Sequence, residues 1–206
     1  MNIKGEKKVL IADDHAVVCR GIEVLVTPAF EKATFSYANS IQQVLDTIER
    51  NQYDVLLLDV NYADGNLTQK ISEIRQKSAQ AKIIVFTSGL SFKEFNVLKK
   101  EVNAILTKQS EASAFIHILE TVFNAGGFVS SPLNEEKVKR LETLTERELD
   151  ILECMLSGMG NKEMVYHLDI KESTISTLRK RILGKLDLNN NVELFYRKYF
   201  VEFCFL

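Results

Sequence analysis

Val55-Leu56-Leu57-Leu58-Asp59 is a run of four aliphatic residues closed by a carboxylate. A run of this length and character reads as a strand buried on both faces, which belongs to a parallel sheet covered by helices on either side. Asp59 then emerges where the strand leaves the core, at the edge where an open α/β sheet carries its chemistry.

Working outward, short apolar runs recur at 9–12, 34–38, 83–86 and 104–106. Helix-period segments follow at 16–26, 41–50, 68–77, 92–100 and 111–124. Five strands alternating with five helices demand parallel pairing and right-handed crossovers. The spacing predicts an α/β flavodoxin-like (βα)5 domain over residues 1–125.

The alternation stops at Ala125-Gly126-Gly127, and Ser130-Ser131-Pro132 and a charged stretch from Glu135 to Arg140 follow. These read as a linker over 126–142 with a short helix in it. Beyond it, 143–206 is helical throughout, a small all-α four-helix domain. Thr145-Glu146-Arg147-Glu148 has the spacing of a capping box ahead of Leu149, Ile151, Leu152, Met155 and Leu156. Gly158 and Gly160 end that helix, and further helices fit 161–167, 173–186 and 191–203, with Ser173 as the expected N-cap of the second of these.

Composition narrows the function classes. The 206 residues suffice for two small domains, and 46% hydrophobic against 26% charged residues describes a globular chain. Cys19, Cys154 and Cys204 are odd in number and far apart, so neither a disulfide framework nor a zinc site is expected. No apolar stretch approaches the ~20 residues of a membrane span, and Met1–Lys8 contains no signal-peptide core, which predicts a cytoplasmic protein with no membrane partner. His15, His117 and His167 have no ligand spacing and read as ordinary histidines.

Asp13 and Asp14 follow the first strand, Asp59 ends the third, Thr87 ends the fourth and Lys108 lies just beyond the fifth. In a doubly wound sheet these ends share one edge, so three acids, a hydroxyl and an ammonium converge. The acids repel one another unless a cation joins them, and a hard divalent ion, Mg²⁺ or Mn²⁺, relieves that repulsion and neutralises an incoming phosphoryl group. Asp59 can then attack phosphorus, with Thr87 and Lys108 binding the equatorial oxygens.

Val9-Leu10-Ile11-Ala12-Asp13-Asp14-His15, with Asp59, Thr87-Ser88 and Lys108, resembles the receiver domain of two-component response regulators over residues 8–125. The resemblance implies Asp59 as phosphoacceptor, Thr87 as switch hydroxyl, Asp13 and Asp14 as Mg²⁺ ligands, and the Asn61 main-chain carbonyl as a third protein ligand. The chain departs from the family at Ala63, where proline is usual, at Leu67, where glycine is usual, and at Ile105, the switch position that many members fill with an aromatic ring.

In the helical domain, Ile175, Leu178, Ile182, Leu183 and Leu186 share one face of the helix at 173–186, and Ser173, Thr177, Lys180, Arg181 and Gly184 lie opposite. That helix holds Arg179, Lys180, Arg181 and Lys185 and no acid, whereas 145–206 as a whole holds nine Lys/Arg against ten Asp/Glu. Positive charge concentrated on one helix is the footprint that phosphate contacts require. Leu144-Thr145-Glu146-Arg147-Glu148, Asn161-Lys162-Glu163, Ser173-Thr174-Ile175 and Ile182-Leu183-Gly184-Lys185-Leu186 resemble the helix-turn-helix DNA-binding domain of NarL/LuxR (FixJ) response regulators. The resemblance implies that Ser176, Thr177 and Lys180 face the groove and that Arg179 and Arg181 are available to phosphates. Ser176 replaces the family's usual lysine, which predicts an altered base preference. The last helix, rich in Phe195, Tyr196, Tyr199, Phe200, Phe203 and Phe205, fits either a dimer contact or core packing.

The leading expectation is a transcription factor, not an enzyme in its own right beyond its own phosphoryl transfer and dephosphorylation. It would receive phosphate on Asp59 from a sensor histidine kinase or small phosphodonor and bind double-stranded DNA, as a homodimer when active or DNA-bound. A Mg²⁺-dependent phosphohydrolase on the same fold would want an acid two residues after the nucleophile, and Asn61 cannot donate a proton there. A regulator whose receiver is a phosphorylation-insensitive interaction or dimerisation module is the other alternative, supported by Ala63, Leu67 and Ile105.

Overall fold

The computed structural model describes residues 3–124, 129–130 and 135–196, and within these the side chains of all but 129–130, 135–138 and 195–196. The chain divides into two compact units, carried mainly by residues before and after position 131.

The first unit is built on β1 (Ile3–Ala12), β2 (Phe30–Ala38), β3 (Val55–Leu58), β6 (Lys82–Thr87), β7 (Ala104–Thr107) and β8 (Val129–Ser130), with a hairpin of β4 (Asn61–Tyr62) and β5 (Gly65–Asn66) between β3 and β6. The sheet order is β2-β1-β3-β6-β7-β8, and every pairing in it is parallel. The helices are α1 (Ala16–Val26), α2 (Ile41–Arg50), α3 (Ile71–Lys77), α4 (Phe92–Leu98) and α5 (Ala112–Asn124).

The apolar runs are buried on both faces, as four-residue aliphatic strands require. Val9, Ile11, Val55, Leu57, Ile84, Phe86, Ala104 and Leu106 join Cys19 and Ile22 of α1 and Phe115, Ile118 and Leu119 of α5 in one cluster. Phe86 and Phe115 meet edge to face with ring centroids 5.0 Å apart. The alternate residues, Leu10, Leu56, Leu58, Ile83, Val85 and Ile105, are also fully buried and lie on the opposite face by the pleat. Buried Val44 and Ile48 of α2, Ile71 and Ile74 of α3 and Phe95 of α4 supply the remaining apolar positions of this unit.

Three elements differ from expectation. β1 and β2 start earlier, because Glu6–Ala12 continues the ladder against Lys32–Ala38 in a ribbon too polar to read as a buried strand. The stretch read as linker, 126–142, holds β8, which pairs Ala104 with Val129 and Ile105 with Ser130, in addition to the short helix expected there, α6 (Glu135–Glu142). The helix expected at 68–77 begins only at Ile71, after a single 3-10 turn over Leu67–Gln69.

In the second unit α6 is followed by α7 (Glu146–Leu156), α8 (Asn161–Leu168), α9 (Glu172–Lys185) and α10 (Asn191–Tyr196). The capping box is present: the Thr145 hydroxyl accepts from the Glu148 N–H and Glu148 accepts from the Thr145 N–H at 2.8 Å. Gly158, at φ +79°, closes α7 in the left-handed region that glycine tolerates. Asp169, at φ 51°, makes the turn between α8 and α9, and Arg147 donates to the terminal carbonyl of α8 at Leu168. Ile151, Met155, Met164, Ile175, Ile182, Leu186 and Leu194 are buried among these helices. Ser173 is not the N-cap of α9: Lys171 holds that place with no side-chain bond, and the helix starts at Glu172. The aromatic positions from Phe195 onward lie outside the described side chains. No described helix is long and apolar enough to cross a membrane.

Candidate functional site

The carboxyl edge of the sheet gathers the acids because the hydrogen-bond ladders run one residue past the strands. Asp13 N–H donates to Ala38 at 3.1 Å, Asp59 N–H to Ala12 at 3.0 Å, and Lys108 N–H to Thr87 at 2.8 Å. Each side chain is thereby fixed at the rim. Asp13 and Asp59 are buried, and Lys108 reaches between them, its Nζ 2.5 Å from Asp13 Oδ2 and 2.7 Å from Asp59 Oδ2. Burial opposes the charge on Lys108, but its hydrogen bonds to Asp13 and Asp59 outweigh that and raise its pKa above the ordinary value.

The second oxygen of Asp59 accepts from the Val60 N–H at 2.7 Å, so its carboxylate is held at both oxygens. Asp14 is exposed and lies 2.6 Å from His15 Nδ1, and His15 also reaches Asp13 Oδ1 at 3.3 Å. Ligand atoms of Asp13, Asp14 and His15 lie within 4.8 Å of one another. Two carboxylates from adjacent residues, one buried and one exposed, are the hard oxygen donors that Mg²⁺ or Mn²⁺ takes, so the residues present fit such an ion.

Thr87 is fully buried and its hydroxyl donates to the Gly89 carbonyl at 2.9 Å, turned into its own loop. Ile105 is fully buried in mid-strand, paired in register with Val85 on one side and Ser130 on the other. It is a core aliphatic with no ring to rotate.

Several residues of this site were not singled out in the sequence. Tyr62 is buried and donates its hydroxyl to the Ala12 carbonyl at 3.0 Å, which ties the loop after Asp59 back to β1. Burial pushes its phenol well up, and the Asp59 charge adds to that, so it remains a donor. Asp64, at the hairpin tip, accepts from the Ile41 and Gln42 N–H groups at 3.0 Å each and caps α2 together with Ser40. Those two N–H groups hold its carboxyl below the usual range. Asn66 binds Asn61, Thr68 and Glu94. Asp64-Gly65 is turn chemistry, and was the one available signal for the hairpin.

In the second unit, Ser176, Thr177, Lys180 and Arg181 are all exposed on α9. Arg179 is half-buried and donates to Asn161 at the start of α8. Lys185 donates to the buried Glu148 at 2.7 Å and to the Thr143 carbonyl at 2.9 Å. Of the four cations counted on this helix, two are thus engaged within the unit, leaving Lys180 and Arg181 as its outward charge.

The family model described as "Response regulator receiver domain" matches residues 9–120, and that described as "Bacterial regulatory proteins, luxR family" matches 142–197. The chain is a response regulator of the NarL/LuxR family. It is 28% identical to the nitrate/nitrite response regulator protein NarL of Escherichia coli K12 over 90% of this chain and 91% of that one. It is 24% identical to the transcriptional regulatory protein DesR of Bacillus subtilis, over 92% and 94%. The structure of RcsB from Salmonella enterica serovar Typhimurium, bound to a promoter in the presence of phosphomimetic BeF₃⁻, shares its fold with a TM-score of 0.68 at 21% identity, over 93% of this chain and 97% of that one. The family is one of transcription regulators.

Proposed function

We propose that this response regulator is a DNA-binding transcription factor switched by Mg²⁺-dependent phosphorylation of Asp59. The observation that carries the reading is Lys108 seated between two buried carboxylates at the strand-end rim, with Asp59 held at both oxygens. In the transfer, an Asp59 oxygen forms a bond to phosphorus as the bond from phosphorus to the donor's leaving atom breaks. The electron pair departs with that leaving atom, the imidazole nitrogen of a sensor histidine kinase or the carboxylate of a small acyl phosphate. Lys108 already pairs Asp59 and stays beside the added charge. Thr87 must turn from Gly89 to donate to a phosphoryl oxygen. Asp13 and Asp14, with the Asn61 main-chain carbonyl, would hold the divalent ion, which when bound supplies charge neutralisation of the transferring group.

In the second unit, Ser176, Thr177 and Lys180 face the bases and Arg181 a phosphate, with α8 crossing the backbone. Arg179 serves as the tie that fixes α9 against α8. A homodimer on a two-fold site is the matching assembly. Gel shift and sizing with and without Mg²⁺ and beryllofluoride test this. The proposal expects tighter operator binding and a larger species with the anion; no change in either overturns phosphoryl control.

The alternative, a receiver that serves as a phosphorylation-insensitive module, draws support from Ile105, which has no ring to couple to Thr87. The intact pairing of Asp13, Asp59 and Lys108 favours the phosphoacceptor reading.

A further inference from the structure

The segment after Asp59 is a hairpin, Asn61–Tyr62 paired with Gly65–Asn66, closed by the Leu67 N–H donating to the Val60 carbonyl at 2.8 Å. The side chain of Asn66 stands at its centre. Its Oδ1 accepts from the Thr68 N–H at 3.0 Å and the Thr68 hydroxyl at 2.6 Å. Because a backbone N–H can only donate, Oδ1 must face Thr68, and Nδ2 must face the other way. That nitrogen has two protons and two acceptors: Asn61 Oδ1 at 3.0 Å and Glu94 Oε1, on α4, at 2.7 Å.

We infer that Asn66 is the positioning residue of the phosphoacceptor loop: one amide fixes Asn61, two residues past Asp59, and ties it to Glu94, so that order in the loop and placement of α4 are one event. The inference rests on the phosphoacceptor reading for its consequence but on the hydrogen bonds for its geometry. Neither of the other residues in position to report on Asp59 offers the same path, since Ile105 is a buried aliphatic in mid-strand and Thr87 bonds its own loop. Anything that draws the Asn61 main chain toward Asp59 pulls on Asn66, and through it on α4.

The test is hydrogen exchange by mass spectrometry on the full chain, with and without Mg²⁺ and beryllofluoride. Four variants separate the roles. Asn66→Asp keeps the acceptor for Thr68 and loses the donor, Asn66→Ala loses both, Glu94→Ala removes the acceptor at the α4 end, and Glu94→Gln keeps an acceptor. Without ligand, Asn66→Asp and Asn66→Ala are expected to speed exchange about threefold to tenfold in both 61–67 and α4, the scale of one or two hydrogen bonds. Glu94→Ala should speed exchange in the loop as well as in its own helix, and Glu94→Gln should restore both. With the anion, Glu94→Ala should bind within about threefold of the wild type yet show no added protection in α4. Loop and α4 responding independently in the unliganded variants, or α4 of Glu94→Ala gaining protection with the anion as the wild type does, would overturn the inference. If wild-type protein shows no response to the anion, it is the phosphoacceptor reading that fails, and the unliganded comparison still decides the role of Asn66.

Discussion

Replacing Lys108 with alanine should loosen the receiver through its centre. Lys108 makes two short charged contacts, 2.5 Å to Asp13 and 2.7 Å to Asp59, and Asp13 is 1% exposed. Without the ammonium, two carboxylates at adjacent strand ends face each other with little water to screen them. Breaking a buried pair by removing one partner costs about 3–5 kcal/mol. The lysine side chain is 19% exposed, so water entering the gap offsets part of this and the low end, about 3 kcal/mol, is expected. Native-state hydrogen exchange of the β3 amides reads that loss as roughly a hundredfold acceleration where exchange proceeds by opening of this unit. Adding Asp59→Asn removes one of the opposed charges and should recover most of it, and Mg²⁺ should stabilise Lys108→Ala more than wild type. A change of less than about threefold in Lys108→Ala, or no recovery in the double variant, would refute the electrostatic account.

In the second unit, Glu148 is buried and, although burial alone raises its carboxyl, bonds from Lys185 and Thr145 bring it below its ordinary value. A depressed folded value makes its contribution fully present above the unfolded value of about 4.3 and lost as pH falls through the folded one. Acid titration of far-UV circular dichroism should therefore show Glu148→Gln with a weaker pH dependence below about pH 4.3 than the wild type. Arg75 donates to the Glu101 carbonyl at 2.7 Å, the Ala81 carbonyl at 2.9 Å and Asn103 at 2.9 Å. Arg75→Ala should lower the urea midpoint of the receiver by the equivalent of about 2–4 kcal/mol, because three acceptors lose their donor. Arg181→Ala should weaken operator binding and reduce the salt slope by about 0.9, while Lys185→Ala, already paired with Glu148, should leave the slope unchanged in a fluorescence-anisotropy titration.

The residues that determine the sheet were legible because a strand buried on both faces admits little but aliphatic side chains, as 55–58 and 104–106 illustrate. Asp13, Asp59 and Lys108 followed from the strand ends. What stayed hidden was set by pairing across the chain. The first residues of β1, Ile3 to Lys8, include four charged side chains and a glycine, and take strand form against β2. β8 is two residues long and falls in a stretch of glycine and serine. Lys185 looks like a DNA contact within its own helix, and only the position of α7 reveals that Glu148 holds it. Thr87 ends its strand, as its place in the run shows, but the direction of its hydroxyl depends on Gly89 two residues on. Asn66 bore no motif, since its role needs Glu94, 28 positions away.

The central claim is that Asp59 accepts a phosphoryl group, and intact-protein mass spectrometry tests it most directly. Incubated with acetyl phosphate and Mg²⁺, the wild-type chain should gain a single phosphoryl adduct that hydroxylamine removes, as it does an acyl phosphate. Asp59→Asn should gain none. An adduct of equal yield in Asp59→Asn, or none in the wild type, would contradict the account.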